Sequence, residues 1–230
     1  AGWFSNDWIT LVVAVPLLLT AIEYARRKSL RGLLLGAGLM AYAIYNYAFY
    51  LTGAALNVFF VLYALIVVVA ALALIATLHQ LDVPAVARAF APETPVRLIG
   101  AALIFIATGL AAAWIGMWAV HVFGGGSLPG DPSVFRLVAA LDLTLMVPAL
   151  AGGGLLLWGG RPWGYVIAAI AGTQAALYLI VLSASSLVSI HRGLTPPPAE
   201  LPVWAALMAF TVTLTVALFS HARPLPQGVA

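Results

Sequence analysis

Seven stretches of this chain are apolar for long enough to cross a lipid bilayer, about 20 residues each. No other feature constrains the fold as much. The stretches run over 8–25, 32–52, 56–79, 97–123, 134–159, 163–189 and 201–221. Only 7% of the 230 residues are charged and 64% are hydrophobic, against roughly 25% charged in a soluble domain. A globule in water could not cover its surface with so few polar groups. In lipid, every backbone polar group must be paired inside the protein, so apolar spans of this length are helices. The expected fold is all-α: one domain, 1–230, forming a bundle of seven transmembrane helices in a lipid bilayer.

The connections carry helix-start chemistry. Thr94-Pro95 and Asp131-Pro132 each place a capping oxygen before a proline, and Arg161-Pro162 starts the sixth span with a proline too. Only Thr52, Gly53, Ala54 and Ala55 separate the second and third spans, which reads as a tight hairpin. Residues 82–90 read as a short interfacial helix. With seven spans, Arg26, Arg27, Lys28, Arg31, Arg88, Arg97, Arg161 and Arg223 fall at one end, and Arg136 and Arg192 at the other. Basic residues mark the cytoplasmic side. The N-terminus is therefore expected outside and the C-terminus in the cytoplasm of a bacterial cell membrane.

Several chemistries are absent from the sequence. There is no cysteine, which excludes disulfides, thiolate metal sites and thiol catalysis. The net charge of +3 is too small and dispersed for a nucleic-acid surface. The first apolar stretch lacks the basic leader and cleavage site of a signal peptide. His79, His121, His191 and His221 lie near span ends, where they do not form the inward-facing pair that a transmembrane haem requires. No metal-binding, nucleophile-elbow or phosphate-loop motif is present. The chain is thus expected to be non-enzymatic, with no metal and no cofactor.

Asp142 is the sharpest candidate. A carboxylate inside a span costs about 2.5–3.5 kcal/mol on insertion scales and normally faces the bundle interior. Polar stripes on other spans should turn inward with it. These are Tyr42, Tyr45, Asn46, Phe49 and Tyr50 in the second span, Trp114, Trp118 and His121 in the fourth, Gln174, Tyr178, Ser185 and Ser189 in the sixth, and Trp204, Met208, Thr211 and Thr215 in the seventh. The expected ligand or ion site comprises Asp142, Asn46, Tyr50, Gln174, Tyr178, Trp118 and His121, open to the outside. Pro148 with Gly152, Gly153 and Gly154 reads as a hinge beside it, or as close helix packing through small residues.

Pro16 and Gly32 stand at the same spacing as Pro148 and Gly164, which suggests two parallel three-helix repeats joined by the fourth helix. This plan resembles the sugar-transporting SWEET family and the microbial rhodopsins in architecture. The last span lacks the Schiff-base lysine of a retinal pigment, and the prolines that SWEET proteins carry in the second and sixth helices are missing. The run Tyr45-Asn46-Tyr47-Ala48-Phe49-Tyr50, Asn57, Leu141-Asp142-Leu143 and Arg161-Pro162-Trp163-Gly164-Tyr165 resembles a signature of uncharacterised bacterial integral membrane proteins. That likeness implies importance for Asn46 and Asp142 and no particular substrate. Two functions are expected from these features. The first is binding or transport of a small molecule or cation around Asp142. The second is an accessory or scaffold role among other membrane subunits.

Overall fold

A computed structural model describes residues 2–198 and 200–224. It contains eight helices and no strands among the described residues. In chain order they are α1 (Gly2–Arg26), α2 (Leu30–Gly53), α3 (Phe60–Gln80), α4 (Val83–Arg88), α5 (Val96–Gly124), α6 (Pro132–Trp158), α7 (Pro162–His191) and α8 (Leu201–Ser220). All but α4 are long and apolar enough to cross a membrane. The seven expected spans are therefore present. The expected hairpin is present as well, between α2 and α3, and so is the short helix after α3.

The caps follow from the sequence. Ser29 accepts from the Gly32 amide at the start of α2, and Asp82 accepts from the Ala85 amide at the start of α4. Asp131 accepts from the Ser133 and Val134 amides at 2.7 and 3.3 Å at the start of α6. Each satisfies a donor that the first helical turn leaves open.

Two starts differ from expectation. Helix α3 begins at Phe60, not near residue 56, so the turn after α2 covers 54–59. The first helix begins at Gly2, not near residue 8. Asn6 and Asp7 look like residues outside the lipid when read alone, but α2 supplies polar partners for both, so the helix extends through them.

At the centre, α2 and α7 cross in close contact, with Gly38 allowing the approach: a Cβ there would lie 2.5 Å from Thr173 Cβ. The first half of α1 packs on α7, and its second half packs on α2. Helix α6 lies against α5 and α7. Helix α3 is the most lipid-like surface, with a mean hydropathy of 2.9 and little of it buried.

The end rich in arginine is stitched together. Arg31 of α2 donates to the carbonyls of Ser220 and Ala222 at 3.0 Å each. Phe90 and Ala222 form an isolated antiparallel bridge, the Arg223 amide donates to Ala89, and the Ala91 amide donates to His221. Phe90 also stacks on Tyr165 at the start of α7.

Two spans share an unusual backbone. Helix α1 opens into a π-turn at Thr10–Ala14, and α6 does the same at Asp142–Met146. The Val15 amide donates to Thr10 and the Val147 amide to Asp142, and each turn is followed at once by a proline, Pro16 or Pro148. A proline ring strikes the carbonyl four residues back in a regular helix, and a π-turn widens the helix at that point. Thr10, Pro16 and Gly32 therefore match Asp142, Pro148 and Gly164 in spacing and in backbone. The glycines correspond in their contacts too: a Cβ on Gly32 would strike Tyr24 and Ala25, and one on Gly164 would strike Leu156 and Leu157.

Candidate functional site

Asp142 is the first residue of the π-turn in α6 and is 0% exposed. Its two oxygens are held separately. The Tyr45 hydroxyl of α2 donates to Oδ1 at 2.5 Å, and the Trp114 indole N–H of α5 donates to Oδ2 at 2.8 Å. The Tyr45 ring meets Tyr178 of α7 edge-on, with centroids 5.3 Å apart. Trp114 meets Phe135 edge-on at 5.1 Å. Phe135 lies two turns from Asp142 toward the end that is poor in arginine, where it covers the indole. Four helices thus converge on one carboxyl group.

No basic side chain reaches that group among the described residues. The ion pairs found there are Arg27–Glu23 and Arg223–Glu93, both exposed and both at the basic end. A buried charge without a partner is expensive.

A second polar cluster lies beside it, about a quarter turn around α2. The Asn6 amide donates to Asn46 Oδ1 at 2.5 Å, and the Asn46 amide donates to Thr10 Oγ1 at 3.4 Å. Thr10 and Tyr42 share a hydrogen bond of 3.0 Å, and the Tyr42 hydroxyl donates to Asn6 Oδ1 at 3.4 Å. These four side chains close a ring. Next to it, the Tyr50 hydroxyl donates to Asp7 Oδ1 at 2.5 Å. Asn46 and Tyr50 thus tie α2 to α1, and the neighbouring Tyr45 holds Asp142.

The remaining expected residues divide. Tyr178 joins Asp142 through Tyr45, and Gln174 is buried one turn away on α7. Trp118 and His121 are not part of the buried group. Trp118 is 49% exposed against Phe123, and His121 Nδ1 lies 2.7 Å from the Gly126 carbonyl in the following loop. The stripe on α5 was legible, but only its deepest member reaches the buried group, and the last turns of α5 are mostly exposed. Trp114 stands as far from the loop joining α5 and α6 as Asp142 does, and this equality of depth is the signal that identifies it. Tyr45 belongs to the stripe noted on α2, and Asn6, Asp7 and Thr10 gave no signal when α1 was read by itself.

The four expected hinge residues are also separated. The irregularity in α6 precedes Pro148, at the π-turn. Gly153 and Gly154 serve close packing: a Cβ on Gly153 would lie 3.0 Å from the Ala168 amide nitrogen, and one on Gly154 would lie 2.8 Å from the Gly100 carbonyl. Gly152 faces open space. The expected opening to the outside is shut in this structure, because Asp142 has no exposed surface.

Among the described residues, no three His, Asp or Glu side chains gather into a metal-binding group. In comparison with known proteins, no family model, no curated protein and no solved structure matches this chain. The likenesses noted from sequence rest on helix count and on the quoted residues alone, and what the chain is shown to be is a helical protein with seven helices long and apolar enough to cross a membrane among the described residues.

Proposed function

We propose that the protein is a non-enzymatic binding or transport protein of the bacterial cytoplasmic membrane, with its basic end in the cytoplasm and Asp142 as its central group. One observation carries this reading. A carboxyl group with no cationic partner lies where four helices meet, on a π-turn. Ionisable groups inside a membrane mark ion and ligand pathways, and π-turns inside helices frequently lie at functional sites. The ligand class is a proton or a small cation, held by the carboxylate.

The structure corresponds to the closed form in this scheme. Opening requires Trp114 and Phe135 to part, which uncovers Asp142 toward the outside. The π-turn and Pro148 supply the weak point in α6 about which its outer end swings. The matched spacings in α1 and α6 support a pair of parallel three-helix repeats with α5 as the linker.

Trp114 makes the scheme testable, because its indole is bonded to the group in question. Tryptophan emission of the purified protein should change as protons or sodium are titrated. Asp142→Asn should remove that change, while circular dichroism reports an unaltered helix content. The same titration curve in both proteins would refute the assignment. Native mass measurement after gentle extraction checks the accessory-subunit alternative, which foreign chains in fixed stoichiometry would favour.

A further inference from the structure

A second site lies at the basic end, on the lipid-facing side of the bundle. After the π-turn, α1 follows α2 and leaves α7, and α8 stands on the far side of α7. The result is a crevice of about 750 Å3 between α1 and α8, floored by α2 and α7. Its stretch of α8, from Val212 to Ser220, rises roughly 12 Å at 1.5 Å per residue. One leaflet is about half of the ~30 Å hydrocarbon core, so the crevice is close to one leaflet deep.

The walls are hydrocarbon. Three threonines line them, but each spends its hydroxyl on its own helix: Thr20 on Pro16, Thr173 on Ala169 and Thr215 on Thr211, all at 2.8 Å. What remains in the crevice is their methyl groups beside aliphatic neighbours. The rim has the opposite character. Arg31 and Arg223 both line the mouth. Arg31 is fixed in place by the last carbonyls of α8 through Nε and Nη2, which leaves Nη1 free of a partner among the described residues. Arg223 is exposed and meets Glu93 only at 3.8 Å. Glu23, the acidic group on the neighbouring turn, is already paired with Arg27 at 2.7 Å.

We propose that this crevice is a binding site for an anionic phospholipid of the cytoplasmic leaflet, with one acyl chain between α1 and α8 and the phosphate on Arg31 and Arg223. Paired basic residues at a membrane surface favour anionic headgroups, and a slot with apolar walls one leaflet deep fits a fatty chain. The site does not involve Asp142.

The test uses the full-length protein in detergent with phosphatidylglycerol or phosphatidylcholine added, read by native mass spectrometry. The wild type should retain phosphatidylglycerol in preference, on the order of tenfold. Arg31→Gln combined with Arg223→Gln should remove the preference. Thr20→Trp combined with Val216→Trp fills the crevice from two exposed wall positions, so the fold is kept, and retention of the lipid should be lost. Equal retention of the two lipids by the wild type, a preference that survives loss of both arginines, or undiminished retention by the filled variant would each overturn the proposal.

Discussion

The two π-turns use one backbone device and end in different chemistry. At Thr10 the turn presents a hydroxyl, and α2 answers with neutral groups, Tyr42 and Asn46, in a ring closed by Asn6. At Asp142 the same turn presents a carboxyl, and the answer comes from Tyr45 and Trp114 on two different helices. The first arrangement joins neighbours and is complete. The second joins four helices around a carboxyl group that no basic side chain reaches among the described residues. A widened helix turn followed by proline is therefore not a site in itself, and the residue placed on it decides.

The strongest challenge to this contrast is to make the turns chemically alike. Thr10→Asp places a carboxyl in the first turn without a partner evolved for it and should cost about 2.5 kcal/mol of stability, measured by unfolding in detergent. An unchanged midpoint would mean that the first turn accepts charge as readily as the second.

Deleting each group gives a smaller effect and a finer comparison. Asp142→Ala leaves the Tyr45 hydroxyl and the Trp114 N–H buried without an acceptor and should cost about 2 kcal/mol. Thr10→Ala weakens a ring whose other members still bond one another and should cost about 1 kcal/mol. Equal losses would place both turns in the same structural class.

The smallest effect concerns how α6 begins. Its cap, Asp131, lies in water, where hydrogen bonds from the Ser133 hydroxyl and the Ser133 and Val134 amides hold its carboxyl below the usual carboxylate range. A carboxyl depressed in the folded state adds stability above its unfolded value and loses it as pH falls through the folded value. The Ser133 and Val134 amides should therefore stay protected from hydrogen exchange through mild acid and open only below the ordinary carboxylate range. Opening near neutral pH would show that the cap is not the carboxylate.

Much of the architecture was legible because lipid leaves few alternatives: apolar length alone gave seven spans, and caps and prolines gave most of their starts. The start of α1 was not legible, because Asn6 and Asp7 are polar by composition and only their partners on α2 make them part of a span. Asp142 stood out for the same energetic reason, in reverse. Its partner on α5 did not, since Trp114 and Trp118 occupy one stripe and only the packing around that helix decides which one is covered. The glycines of α6 read equally well as hinge or contact, and the approach of the Gly100 and Gly154 backbones was invisible without coordinates. The crevice between α1 and α8 had no signature either, as it comes from the change of direction after a π-turn.

The clasp of Arg31 on the final carbonyls of α8 has a consequence for assembly. A residue made early in synthesis waits for acceptors about 190 positions later in the chain, Ser220 and Ala222. The bundle cannot be locked at that end before α8 has been made. Until then the first hairpin must hold through its packing against the earlier spans, and the clasp closes when α8 arrives beside an arginine already in position.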